Sequence, residues 1–207
     1  LIEGIERISQ EDIYFAKEFE YTIKLLAIAK RRGTQVELRV HPAMVPSNKM
    51  IAKVDGVMNG ISVIGDAVGE TMYYGPGAGG EATASSVIAD IIDIAREGKS
   101  SPMLGFKNPL EEITLTLMPQ DEIRTKYYIR MLVKDQKGVL ATIASILGDC
   151  NISIDSFLQK PDDDDDNEVT LLFATHTCKE SDVKIALEKI GALEFVLTPP
   201  HMIRIEE

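Results

Sequence analysis

The sequence predicts an α+β protein in which a mixed β-sheet region is followed by a complete βαββαβ unit. Short segments with alternating apolar residues are typical of half-buried strands. Other segments carry apolar residues at helical spacing behind capping residues, which is typical of helices. Between Lys99 and Arg124 the chain is rich in proline and weakly patterned, and the order of elements changes beyond it.

The composition excludes several classes of protein. The chain has 207 residues, with 22 Lys and Arg against 33 Asp and Glu, and its net charge is −11. An acidic chain without a basic stripe matches a phosphate backbone poorly, so we expect no nucleic-acid partner. The apolar runs 23–29 and 87–92 are far shorter than the ~20 residues of a membrane span, so we expect no membrane partner. Cys150 and Cys178 are too few for a disulfide scaffold and indicate buried thiols in a reducing cytoplasm.

In the first part of the chain, capping and turn residues locate the elements. Ser9 and Asp12 resemble a capping box and begin a helix. Pro42 and Pro46 are predicted to bracket a turn. The predicted elements are a helix over 11–18, strands over 23–29 and 36–40, a short helix over 48–53, strands over 57–65 and 70–74, a helix over 83–97 and a strand over 113–117.

The second part has a complete ferredoxin-like pattern. Thr177 and Glu180 resemble a second capping box. The predicted elements are a strand over 128–133, a turn over 135–138, a helix over 139–147, strands over 151–159 and 168–175, a helix to about 190, and a last strand over 194–198 that 202–205 continues. Since this unit needs no upstream strand to close its sheet, the predicted organisation is a first domain over 1–118, a linker over 119–125 and a second domain over 126–207.

A glycine-rich segment connects a predicted strand to a predicted helix. Gly75, Gly77 and Gly80 satisfy the G-x-G-x-x-G pattern of dinucleotide-binding folds. Pro76 in the turn, and proline-rich chain where a second parallel strand belongs, argue against that fold. Glycines still permit close approach of a ligand, and a helix start attracts anions. The segment is therefore either a binding loop within a larger site or a tight connection without a ligand.

A second helix start follows the turn over 135–138. Gly138 permits close approach, and the first helical turn offers unpaired N–H groups to a carboxylate. Asn151, at the next predicted strand, could supply a polar side chain. Ordinary turns also favour glycine and aspartate, so a turn without a ligand remains the alternative.

No complete active site is present in the sequence. The three histidines are far apart, and no Gly-x-Ser-x-Gly motif provides a serine nucleophile. The acidic run 162–166 lacks the spaced ligands and glycine turn of a calcium site and is predicted to be a solvated hairpin tip. We therefore assign no catalytic residue and no metal ligand.

Taken in order, these motifs resemble bacterial homoserine dehydrogenase over nearly the whole chain. The first part carries the similar segments Glu3-Gly4-Ile5, Asp12-Ile13, Ile23–Ala27, His41-Pro42, Val45-Pro46, Val57-Met58-Asn59, Gly65-Asp66, Tyr74–Gly79 and Thr83–Asp90. The second part resembles the ACT domain of that family through Tyr127–Arg130, Asp135–Leu140 and Asn151–Ile154. The chain opens at Leu1 without a methionine, and we expect it to be a piece of a longer protein.

The resemblance implies an enzyme that interconverts L-homoserine and L-aspartate 4-semialdehyde with NAD or NADP in threonine, methionine and isoleucine biosynthesis. It implies that the first part is the later portion of a substrate and dimerisation domain. The nucleotide-binding domain, the catalytic lysine and the acidic substrate-binding residues lie before Leu1, so we expect the chain alone to be inactive. The implied cofactor-binding residues are Gly77, Ala78, Gly79 and Thr83, with Gly79 the best match.

The resemblance also implies an amino-acid effector, for which threonine is expected, and a homo-oligomer, with dimers formed through the central sheet and the ACT domain. The implied effector-binding residues are Asp135, Gln136, Lys137, Gly138 and Val139, with Asn151 and Ile152 facing the effector from a partner chain. An ACT-type module that serves assembly alone, without a ligand, is the alternative.

Overall fold

The structure of the protein is a computed structural model, described here for residues 1–97, 115–161 and 167–207. The chain divides into two compact units, Leu1–Pro46 with Leu115–Glu207, and Ser47–Thr114. The described residues form helices and a mixed β-sheet, so the predicted α+β class is confirmed. The acidic run 162–166, and residues 113 and 114 of one predicted strand, lie outside the described residues.

One sheet organises the larger unit. Its strands are β1 (Tyr21–Arg32), β2 (Gln35–Pro46), β5 (Thr116–Leu117), β6 (Arg124–Lys134), β7 (Ile154–Pro161), β8 (Glu168–Thr175), β9 (Cys178–Lys179) and β10 (His201–Ile205). The order is β1-β2-β10-β6-β8-β7, with β5 beside β2 and β9 beside β6. Because β10 pairs in parallel with β2 at Ala43 and Met44, the predicted ferredoxin-like sheet continues into upstream strands. The strands β10, β6, β8 and β7 of that unit are contiguous in the sheet, and its independence from the upstream strands, like the boundary over 119–125, stays a prediction.

Three helices flank this sheet: α1 (Gln10–Glu18), α3 (Val139–Asp149) and α4 (Glu180–Gly191). The predicted capping box of α1 is present, since the Ser9 hydroxyl accepts from the Asp12 N–H and the Asp12 carboxylate accepts from the Ser9 N–H. The predicted second capping box is wrong. Lys179 precedes α4 without a side-chain cap, and the Glu180 carboxylate accepts hydrogen bonds from Arg204 and Tyr127 instead.

Alternation along the strands divides the core between the two faces of the sheet. Tyr127, Ile129 and Phe173 pack with α3 and α4, whereas Tyr128 and Leu172 pack with Phe15 and Ala16 of α1. The βαββαβ order thus produces two apolar layers from one set of strands, because successive side chains point to opposite faces.

Two predicted elements that the structure does not contain lie beside prolines. Pro42 lies inside β2 opposite Leu25, so the predicted turn is wrong. Pro42 lies just before Ala43 and Met44, the two residues of β2 that pair with β10. At that position the N–H that proline lacks removes fewer hydrogen bonds from the sheet. The predicted strand over 194–198 is also wrong: only an isolated bridge joins Val196 to Val133, and β10 begins after Pro199 and Pro200.

The smaller unit contains a hairpin and a helix. Strand β3 (Met58–Gly65) pairs antiparallel with β4 (Gly69–Pro76), as predicted, and a short 3₁₀ helix, Ile51–Lys53, precedes them. Helix α2 (Gly80–Glu97) follows β4. Its isoleucines and valine are exposed, with Ile91 60% exposed, so the apolar stripe predicted from spacing has no cover from described residues within this unit.

Candidate functional site

The glycine segment connects β4 to α2 through residues 77–79. Gly77 donates to the Val57 carbonyl oxygen at 3.0 Å, and an added Cβ there would lie 1.1 Å from Asn59 Nδ2. Gly79 has φ +120°, a conformation that L side chains rarely adopt, and its carbonyl accepts from the Thr83 N–H at 3.1 Å. Gly79 is therefore needed for the connection itself, whereas a side chain at Gly77 would have to displace the Asn59 amide.

The four predicted cofactor-binding residues lie together at the start of α2. Gly77, Ala78, Gly79 and Thr83 are all exposed, so their backbone is open to a ligand. Glu81 places a negative charge in the first turn of α2 and opposes the attraction of an anion to the helix start. This surface suits close contact with a neutral ring or ribose better than contact with a phosphate.

The turn before α3 has different electrostatics. Gly138 has φ +90° and precedes α3 without any side-chain cap, and the first turn of α3 carries no acidic residue. Asp135, Gln136 and Lys137 are exposed, as is Gly138, around which an added Cβ would meet no atom within 4 Å. The positive end of the α3 dipole is therefore open to a carboxylate.

Of the other predicted effector-binding residues, only Asn151 presents its side chain to solvent. It has φ +58° and lies in the tight turn after α3 rather than in a strand, because the Ile152 N–H bonds to the Leu147 carbonyl and ends the helix. Ile152 is 3% exposed and, like Val139, belongs to the core cluster. These two residues can contact a ligand only through their backbone.

Sequence reasoning missed a buried ion-pair cluster around Arg204. The guanidinium donates to Glu3 Oε2 at 2.7 Å and to Glu180 Oε2 at 2.9 Å, and Tyr127 Oη donates to Glu180 Oε2 at 2.6 Å. Burial alone would raise the pKa of Glu180, but the hydrogen bonds and charge of Arg204 outweigh it and hold that pKa below its ordinary value. The partners are far apart in sequence, so only the fold reveals the cluster.

A second cluster joins α1 to β6. Arg130 Nε donates to Asp12 Oδ1 at 2.7 Å, and Arg130 Nη1 lies 2.9 Å from Glu11 Oε2. Asp12 is fully buried, and His201 Nε2 lies 3.7 Å from its Oδ2. The capping aspartate was identifiable from sequence, but its ion pair across the sheet was not.

The comparisons with known proteins agree with this architecture. Residues 1–92 match the model of the family "Homoserine dehydrogenase", and residues 127–195 match that of "ACT domain". A homoserine dehydrogenase of Helicobacter pylori is 54% identical over 206 residues, which is 100% of this chain and 48% of that relative. A crystal structure of a homoserine dehydrogenase from Thiobacillus denitrificans matches with 42% identity and a TM-score of 0.86. The match covers 99% of this chain and 47% of the chain in that structure.

Over its whole length the chain matches the C-terminal region of homoserine dehydrogenases together with an ACT domain. This confirms the resemblance drawn from the ordered motifs. A homoserine dehydrogenase of Neisseria gonorrhoeae is likewise 43% identical over 99% of this chain and 48% of that relative. The chain thus spans about half the length of the curated relatives it matches.

The two family matches divide the chain differently from its compact units. The first match includes β1 and β2, which share the sheet of the larger unit with the strands of the ACT match. Within the described residues, no group of three or more His, Cys, Asp or Glu side chains could hold a metal ion, and no helix is long and apolar enough to cross a membrane.

Proposed function

We propose that this chain is part of a homoserine dehydrogenase that interconverts L-homoserine and L-aspartate 4-semialdehyde with NAD or NADP, in threonine, methionine and isoleucine biosynthesis. The match of the whole chain to a relative with that name, at 54% identity, carries the proposal. The two free, buried thiols support a reducing cytoplasm as the location.

In this proposal, Gly77, Ala78, Gly79 and Thr83 contact the nicotinamide cofactor. The exposed backbone around the left-handed Gly79 supports this role, since no side chain there blocks a flat ring. The acidic first turn of α2 supports contact with the ring side of the cofactor rather than with its phosphates.

The chain alone is expected to show no hydride transfer. It spans about half the length of its relatives, and the resemblance implies that the catalytic lysine lies before Leu1. The measurement is the absorbance of NADPH and NADH with purified chain and aspartate semialdehyde, with a full-length homoserine dehydrogenase as the positive control. A rate above the enzyme-free background would contradict the expectation.

We further propose that residues 126–207 bind an amino-acid effector, with threonine as the effector. The uncapped, non-acidic start of α3 behind Gly138 supports binding of its carboxylate. Asp135, Gln136, Lys137, Val139, Asn151 and Ile152 complete the proposed site, with Asn151 and Ile152 contributed by a partner chain. Val139 and Ile152 act through their backbone, because their side chains are buried.

A thermal melt with threonine, methionine, isoleucine or NADPH tests the effector site. A ligand that binds only the folded chain raises its melting temperature by mass action, by roughly 5–10 °C at about a hundred-fold excess over Kd for a chain of this size. We expect this rise with threonine and a smaller one with the other amino acids. A melting temperature unchanged by every amino acid would instead favour a module that serves assembly alone.

Assembly is proposed to involve the central sheet as well as the ACT region. Leu25 of β1, and Leu38 and Val40 of β2, present an apolar face on which Leu25 is 57% and Leu38 48% exposed. Exposed apolar patches of this kind mark association surfaces. This face supports a homo-oligomer, for which a dimer is the simplest form.

A further inference from the structure

A small cleft opens on the face of the sheet that carries α1. Its volume is 220 Å³, and it lies between the α1–β1 connection and strands β7 and β8. Phe19, Met44, Tyr128, Leu172 and Ile205 contribute apolar surface to it. The same residues belong to, or pack against, the second core cluster, so the interior of the cleft is made by rigid core elements.

The polar groups of the cleft lie close together in sequence on one strand. Asp155 and Ser156 line it, and the register between β7 and β8 shifts between Ile154 and Ser156. Asp155 is thus the extra residue of a β-bulge. Bulges redirect side chains and are over-represented beside binding sites.

The Asp155 carboxylate is 47% exposed, and His176 Nδ1 lies 3.6 Å from its Oδ1, which is beyond hydrogen-bond distance. The Lys126 ammonium, which interacts with it electrostatically, donates its hydrogen bond to Glu207 instead, so Asp155 can accept from a ligand. Tyr21 also lines the cleft, and burial raises the pKa of its hydroxyl, so this group stays neutral. An apolar cavity with a single available carboxylate is complementary to a ligand that combines a hydrocarbon part with one positive charge.

We propose that this cleft binds a small apolar primary amine, with its ammonium group on Asp155 and its hydrocarbon part against Met44 and Leu172. The amine could be free or be the amino group of an apolar amino acid. Lys126 supports the second source, because its ammonium group is close enough to Asp155 and Tyr21 to interact with them electrostatically and would attract the carboxylate of an amino acid.

This cleft is separate from the proposed effector site. Val139, which follows the Gly138 turn, packs in the first core cluster with α3 and α4, whereas the cleft is lined mainly by the second cluster with α1 and shares only Phe173 with the first. A response to an amine at the cleft and a response to threonine at the turn can therefore be measured independently with different variants.

The test is calorimetric titration of the 207-residue chain with n-pentylamine, leucine and the neutral analogue n-pentanol. We expect pentylamine to bind, and Asp155→Asn to weaken it about ten-fold or more, since a charge-assisted hydrogen bond is lost. Asp149→Asn, an exposed carboxylate at the end of α3, is the matched control and is expected to leave binding unchanged. Ala174→Leu, which fills the cleft from β8, is expected to abolish binding.

Binding of leucine as well as pentylamine would identify amino acids as a source, and binding of pentylamine alone would identify free amines; either supports the site. Equal affinity for pentanol and pentylamine would reduce the cleft to a packing gap and overturn the proposal. Unchanged pentylamine affinity in Asp155→Asn would overturn the proposal too. This variant alters only a partly exposed side chain, so the test remains valid even if Ala174→Leu does not fold.

Discussion

Replacement of Arg204 by methionine is expected to lower the free energy of unfolding of the chain by about 3–5 kcal/mol. Arg204 is 1% exposed, and methionine would remove the guanidinium from the buried Glu180 carboxylate, leaving the half-exposed Lys184 Nζ 3.8 Å from it. Removing one partner of a buried ion pair is costly because the remaining charge stays desolvated. Urea denaturation at neutral pH, followed by circular dichroism, measures this loss.

Arg124→Met is the matched control, because Arg124 is an exposed arginine on β6, and it is expected to change the free energy of unfolding by less than about 0.5 kcal/mol. Acid provides a second check. The folded-state pKa of Glu180 lies below its ordinary value of 4.5, so its stabilisation is present above that pH and is lost as the pH falls through the folded pKa. The difference between wild type and Arg204→Met should therefore shrink on acidification, and a constant difference would refute this explanation.

Gly138→Val is expected to eliminate the proposed response to threonine. The backbone there has φ +90°, so a β-branched side chain is strained by about 1–3 kcal/mol, and it would occupy the open space in front of α3. The melting temperature with and without threonine measures the response within each variant, which separates lost binding from lower stability.

Gly148→Ala is the control for this variant. Gly148 lies inside α3 with open space around it and no positive φ, so alanine is expected to stabilise the helix by about 0.5–1 kcal/mol and to keep the threonine response. A full threonine response in Gly138→Val would remove the Gly138 turn from the effector site, even if Gly148→Ala behaves as expected.

The elements that could be predicted are those with a local cause. The Ser9–Asp12 cap, the β3–β4 hairpin and helix α3 depend on residues within a few positions of one another. The predictions at Pro42 and at 194–198 failed for a different reason. A strand in the middle of a sheet is stabilised by neighbours distant in sequence, and those neighbours determine where it ends.

The candidate site shows the same division between local and distant causes. Gly138 could be singled out because a turn before a helix favours glycine, whereas Gly79 is implied by the family resemblance; both have positive φ angles in the structure. The side-chain burial of Val139 and Ile152 could not be read locally, nor could the bulge that presents Asp155. Each depends on how α3 and the β7–β8 pair pack against the sheet.

By itself, the sequence determined the α+β class, the family resemblance and the order of elements, because hydrophobic period, capping residues and glycine turns act over a few residues. Tertiary structure alone decided that β10 pairs with β2, that Arg204 neutralises Glu180 and Glu3, and that Arg130 neutralises Asp12. These contacts join residues far apart in the chain. Their strength comes from burial in a low-dielectric interior, which exists only after the strands have assembled.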